Sequence, residues 1–161
     1  DGACAVIMNG EIYNAPELRG ELTKRGHRFA CGSDAEVVVH LYEEVGARAF
    51  ERLSGMYAIA LWERERGIVL LARDRIGQKP LLVQAVGGSV RFASDLAALL
   101  AADTGSAPTV DPVALDRYLT YRTPVGRQSM LVGIERLLPG EVAVLRDGAI
   151  LRRYFPSLPP R

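Results

Sequence analysis

Cysteine is scarce in this chain of 161 residues, with only Cys4 and Cys31 present. Two thiols cannot build a disulfide framework, and so few fit a reducing compartment, so a cytoplasmic protein is expected. No apolar run approaches the roughly 18–20 residues that a membrane helix needs. An excess of one charge is missing too. Twenty Lys and Arg stand against nineteen Asp and Glu, a net charge of +1. That balance argues against nucleic acid or an acidic membrane surface as a partner. Aromatic residues make up only 7%, yet 48% of the residues are hydrophobic and 24% charged, which is not the composition of a disordered chain. No Walker-type loop, GxSxG elbow or HExxH motif occurs. Residue 1 is Asp1 rather than Met, with no signal peptide after it.

What is there reads as one domain. A chain of this length buries roughly 70% of its unfolded surface, enough for a single core. Ala3–Met8 (ACAVIM) predicts a buried strand, broken by Asn9-Gly10. Asn14, Pro16 and Gly26 bound a helix near 15–25 with Leu18 and Leu22 on one face. A short strand at His27–Ala30 follows, and Ser33 or Asp34 caps a second helix over about 35–45. Ala47–Leu53 reads as another short helix. Met56–Glu63 and Ile68–Arg73 form a hairpin around Arg64–Gly67, and Leu81–Val86 pairs with Val90–Ala93 through Gly87-Gly88. Asp95–Ala102 is helical, Thr104–Pro108 is a loop, and Asp111-Pro112 opens a helix to about Tyr121. Glu141–Arg146 pairs with Ala149–Tyr154 around Asp147-Gly148. About seven strands and four helices in sequential hairpins predict an α+β fold with mainly antiparallel sheet.

The chemistry-bearing residues have two readings each. His27 and His40 sit at no metal-ligand spacing with Cys4 or Cys31, so no metal site is expected and both read as packing or surface residues. Asn9-Gly10 is ordinarily a turn. Its sharper reading is a side-chain amide and a backbone N–H that together stabilise a developing oxyanion. Glu11 and Asp34 could hold an ammonium group or be solvated carboxylates near a helix start. Arg73-Asp74-Arg75 with Lys79 reads as a surface salt-bridge network.

Several motifs in order shift these readings. Asn9–Asn14 (NGEIYN), Ser33–Val37 (SDAEV), Leu53–Glu63 (LSGMYAIALWE), Leu70–Leu81 (LLARDRIGQKPL) and Phe92–Leu100 (FASDLAALL) resemble the glutamine amidotransferase domain of the asparagine synthetase family. The resemblance continues through Val110–Leu119 (VDPVALDRYL) and Arg136–Glu141 (RLLPGE) to Tyr154. It implies a four-layer αββα fold of the N-terminal-nucleophile (Ntn) hydrolase kind over residues 1–155, with 156–161 starting a linker. It also implies hydrolysis of the glutamine side-chain amide to glutamate and ammonia. The ammonia would pass to a synthetase domain that converts aspartate to asparagine with ATP. On the matching motifs, Asn9 and Gly10 would be oxyanion-hole donors. Glu11 and Asp34 would position glutamine, Asp34 chiefly through its α-amino group. No pyrophosphate-binding SGGxDS motif occurs. No cofactor is therefore expected here, and ATP and magnesium would belong to the synthetase part. Glutamine and a synthetase domain or chain are the implied partners, with self-association left open.

One departure bears on activity. The family's nucleophile is a cysteine at the first mature position, whose own α-amine (pKa roughly 7.7–8.0) serves as base. Here position 1 is Asp1, so the domain is expected to be incomplete at its N-terminus and inactive alone. Cys4 lies five residues before Asn9, an odd separation that puts the two side chains on opposite faces of a strand. It is expected to be a small buried core residue. Cys31, three residues before Asp34, has no neighbouring base and reads as a loop or packing residue. Two alternatives accompany this expectation: a non-catalytic amidotransferase-like scaffold, and the amidotransferase part of a ligase with another ammonia acceptor.

Overall fold

The continuous apolar run sets the first strand, whose exposure alternates along it, and a second strand buried on both faces lies next to it inside the sheet. In the computed structural model, residues 2–102 and 107–157 are described. Asp1, most of the expected loop at Thr104–Pro108 and the end of the Pro156–Arg161 tail lie outside them. Strand β1 (Cys4–Ile12) pairs antiparallel with β2 (Gly55–Glu63), from Cys4 opposite Glu63 to Ile12 opposite Gly55. β3 (Ile68–Arg73) lies on the other side of β2. A second hairpin pair, β4 (Leu82–Val86) and β5 (Ser89–Ala93), forms separately, with β6 (Ile134–Arg136) along the far side of β4. The last hairpin, β7 (Val142–Arg146) and β8 (Ala149–Tyr154), returns to β3. Two open antiparallel sheets result, in the orders β1-β2-β3-β7-β8 and β5-β4-β6.

Each face of each sheet has its own apolar cover. Helices α1 (Ala15–Lys24), α2 (Asp34–Val45) and α3 (Ala49–Arg52) lay Leu18, Leu22, Val37, Leu41 and Phe50 against Ile59, Leu61 and Leu70. The opposite face of that sheet, through Ala58, Ala60, Leu71 and Ala143, meets Leu81 and Val83 beside the smaller sheet. Beyond it, Leu99 of α4 (Leu96–Ala101) packs on Leu82 and Ile134. The order helix–sheet–sheet–helix is the four-layer αββα arrangement that the resemblance implies. α5 (Pro112–Tyr121) is capped by Asp111, whose Oδ1 accepts from the N–H groups of Val113 at 2.9 Å and Ala114 at 3.1 Å.

Three expectations change. Asn9-Gly10 does not break β1: the ladder runs on through Gly10 opposite Tyr57 to Ile12. Gly10 makes this passage because a Cβ there would lie 2.0 Å from the Met56 carbonyl oxygen, at a φ of +142°. The expected strand at His27–Ala30 does not form. Its backbone groups bond locally, His27 N–H to Leu22 O at 3.1 Å and Ala30 N–H to the Glu36 carboxylate at 2.6 Å. Asn14 does begin α1, but its side chain caps nothing there. It reaches instead to the α3–β2 corner, accepting from Ser54 N–H at 3.0 Å and donating to Arg52 O at 2.9 Å.

Candidate active site

Strand β1 has three usable surfaces, and parity assigns them. Cys4, Val6 and Met8 pack partly buried against the helical layer, while Ala5, Ile7, Asn9 and Glu11 are exposed on the opposite face. At the two ends of the ladder, Arg64 N–H donates to Ala3 O at 2.9 Å and Tyr13 N–H to Ser54 O at 2.7 Å. Odd-numbered residues therefore bond to β2, and the backbone groups of even-numbered ones point to the open edge of the sheet. Ile12 N–H lies on that edge and donates to Asp34 Oδ2 at 2.9 Å. The same register directs Gly10 N–H outward, one step along the edge.

The start of α2 explains why Asp34 is available. Ser33, not Asp34, is the cap: its hydroxyl accepts from Ala35 N–H at 3.2 Å. The Asp34 carboxylate is thereby left for the edge of β1. The structure thus brings all four sequence-assigned residues, Asn9, Gly10, Glu11 and Asp34, to the last four positions of one edge strand. Asn9 also borders a cleft of about 200 Å³ between the sheets, with Ile7, Ala60, Leu81, Phe92 and Ser94 on its walls.

Neither thiol joins this group. Cys4 is half-buried on the helix-facing side, and burial, with Glu43 and Glu63 nearby, pushes its thiol pKa up. Cys31 is exposed, with its Sγ donating to Glu36 Oε2 at 3.2 Å. The N–H groups of Ala30 and Cys31 hold the Glu36 carboxyl down at about 2, far too weak a base to take a thiol proton.

The Arg73–Lys79 segment is corrected by its burial. Asp74 is fully buried, so it is no surface salt bridge. Its carboxylate accepts from Gln78 N–H and Lys79 N–H, both at 2.9 Å, and its carbonyl accepts from Gly140 N–H at 2.8 Å. Arg73 donates to the carbonyls of Gly77, Lys79 and Leu137 at 2.6–2.7 Å. The pair ties the β3–β4 connection to the segment before β7 through backbone groups, a role that the charged letters hide. His27 and His40 are likewise not independent residues, since their rings meet. Nothing in their spacing, thirteen residues apart, signals that contact.

A four-layer αββα fold with these sheets is shared with Ntn-type amidotransferases. The chain matches the structure of glutamine phosphoribosylpyrophosphate (PRPP) amidotransferase from B. subtilis at a TM-score of 0.67 and 21% identity, over 97% of this chain and 30% of that one. That likeness shows the fold. The model of the glutamine amidotransferase domain family matches residues 1–155, and the chain belongs to that family. It is similar to asparagine synthetase [glutamine-hydrolyzing] 3 of Bacillus subtilis (strain 168), 36% identical over 154 residues, 93% of this chain and 25% of the relative. Asparagine synthetase [glutamine-hydrolyzing] 2 of Arabidopsis thaliana is 45% identical over 100 residues, 62% of this chain and 17% of that protein. The chain therefore spans a quarter or less of the length of these curated relatives.

Proposed function

We propose that this chain is the glutamine-handling part of a glutamine-hydrolysing asparagine synthetase. The observation that carries this is the placement of Asn9, Gly10 and Glu11 on consecutive positions at the end of β1, next to the Ile12 N–H that holds Asp34. In that reading the Asn9 amide and the outward Gly10 N–H donate to the oxyanion that forms when the glutamine amide is attacked. Such donors act on charge that develops only in the transition state. Asp34, held by Ile12 N–H, and Glu11, one residue before Ile12 on β1, receive the α-ammonium end of glutamine. The ammonia released serves a synthetase part, where ATP and magnesium convert aspartate to asparagine.

By itself the chain binds glutamine without hydrolysing it, because neither Cys4 nor Cys31 reaches Asn9. The same position of the thiols favours the second reading, a non-catalytic platform. Two measurements test these readings, and the second separates them. The 161-residue chain, incubated with glutamine, is expected to release no glutamate above background. Release that disappears in Cys4→Ala or Cys31→Ala overturns that inactivity. Grafted in place of the matching residues of the Bacillus subtilis relative, the chain is expected to support glutaminase activity. Asn9→Ala in that graft then lowers kcat by about 10²–10³-fold. A folded graft that is inactive with Asn9 intact points to the platform.

A further inference from the structure

Outside the β1 edge, one cluster among the described residues brings three possible metal ligands together. His27 follows α1, and His40 and Glu43 lie one turn apart on α2. His27 Nδ1 stands 3.0 Å from His40 Nδ1, and His40 Nδ1 stands 3.0 Å from Glu43 Oε2. The third side, His27 Nδ1 to Glu43 Oε2, is 3.8 Å. A triangle with these sides has a point about 2.0 Å from all three atoms, which is the zinc–nitrogen and zinc–oxygen bond length.

The outward ring nitrogens support the same geometry. His27 Nε2 lies 3.0 Å from Glu44 Oε1, and His40 Nε2 lies 3.8 Å from Glu36 Oε1. The Glu44 carboxylate, within hydrogen-bond distance of His27 Nε2, favours the Nε2–H tautomer of that ring and leaves its Nδ1 lone pair facing inward, as in carboxylate–histidine–zinc arrangements, while Glu36 stands near His40 Nε2 without bonding it. Two ring nitrogens and a carboxylate oxygen then converge on one point. A cation satisfies all three. Packing holds the rings in place: Phe29 sits edge-on to His40 at 4.6 Å between centroids, and Arg19 covers the Phe29 ring at 4.3 Å.

We propose that His27 Nδ1, His40 Nδ1 and Glu43 Oε2 form a binding site for a zinc-type divalent transition-metal ion. Imidazole with carboxylate suits zinc and its neighbours rather than magnesium or calcium. Both His side chains are largely enclosed, at 15% and 17% exposure, while Glu43 is 33% exposed. The fourth ligand position therefore opens toward water on the Glu43 side. A bound ion clamps the 27–33 segment onto α2 immediately before Asp34, so occupancy stiffens the segment that delivers that carboxylate to β1.

Calorimetric titration of the 161-residue chain with zinc chloride tests the site. One zinc per chain is expected, with no heat from magnesium under the same conditions, and zinc should raise Tm. His27→Ala and His40→Asn should each abolish the zinc-dependent rise in Tm, and Glu44→Gln should weaken binding about tenfold through the tautomer. Circular dichroism of each variant confirms that it is folded. His40→Asn retains a polar group under Phe29 should His27→Ala not fold. Absence of zinc binding to the wild-type chain at micromolar concentrations overturns the proposal. So does zinc binding that survives both histidine substitutions, or that Cys31→Ser alone removes.

Discussion

Asp34 takes its role from a neighbour's chemistry. Ser33 satisfies the helix start, which leaves the adjacent carboxylate to bond Ile12 N–H at 2.9 Å. The sequence left the cap open between the two residues, because either side chain is competent for it. Tyr57, opposite Gly10, supplies a pH test at the same scale. Burial raises its phenol from 10.0 to about 12, with Arg75 opposing and Asp74 adding. A folded pKa above the unfolded one means that this contribution is fully present below pH 10. It is lost as pH rises from 10 toward 12. The loss should reach on the order of 1 kcal/mol at pH 11. Tyr57→Phe cannot ionise, so its stability relative to wild type should improve between pH 8 and pH 11 in denaturant titrations. A constant difference across that range would contradict the burial argument. Asp74 and His27 show where reading by letter stops. A charged letter carries no sign of full burial, and two imidazoles thirteen residues apart meet only through tertiary packing.

Strong local signals carried most of the elements. The turn at Asp147-Gly148 marks the last hairpin, Arg64–Gly67 the β2–β3 hairpin, and Asp111-Pro112 the start of α5, all as expected. β6 escaped notice because three residues, Ile134–Arg136, are too few to show a period. The strand expected at His27–Ala30 did not form: at its two ends His27 N–H is taken by Leu22 O and Ala30 N–H by the Glu36 carboxylate, rather than by a ladder. β1 ran longer than Asn9-Gly10 suggested. That dipeptide is a turn signal only when no neighbouring strand pairs with it, and here β2 does. Gly10 and Gly55 both give the two backbones room, since a Cβ at Gly55 would lie 2.2 Å from Glu11 O. Gly10→Ala is therefore expected to cost on the order of 2 kcal/mol through strain and local separation of β1 from β2. Tm should fall by roughly 4–8 °C. Hydrogen exchange at residues 9–12 should speed up more than at β3. An unchanged Tm would show that the strands separate there without cost.

At the scale of the molecule, motif order conveyed the layering better than periodicity did. Sequential hairpins predicted antiparallel sheet, while the four layers entered through the resemblance. Among the described residues no helix is long and apolar enough to cross a membrane. The larger sheet ends at β1, whose outer edge bonds Asp34 at Ile12. Ile7 is 66% exposed on the face beside that edge, with Trp62 at 43% on the paired strand. An open edge next to apolar side chains is a template for pairing with a further strand. We expect the 161-residue chain to self-associate with rising concentration in size-exclusion chromatography. Ile7→Lys should restore a monomer by placing a charge there. A wild-type chain that stays monomeric across the range would count against the edge as an interface.

The parity of β1 also constrains how such a chain can change over evolutionary time. Its even positions feed the helical layer, its odd positions carry Asn9 and Glu11, and its edge carries Gly10 and the Ile12 link to Asp34. Substitutions alter one position of one surface. A single-residue insertion or deletion between Ala5 and Met8 would exchange the two faces on one side of the change. Either Asn9 and Glu11 or the packing of Val6 and Met8 would then end up on the wrong side. Length in this strand is thus under a constraint that a substitution at any one position does not meet.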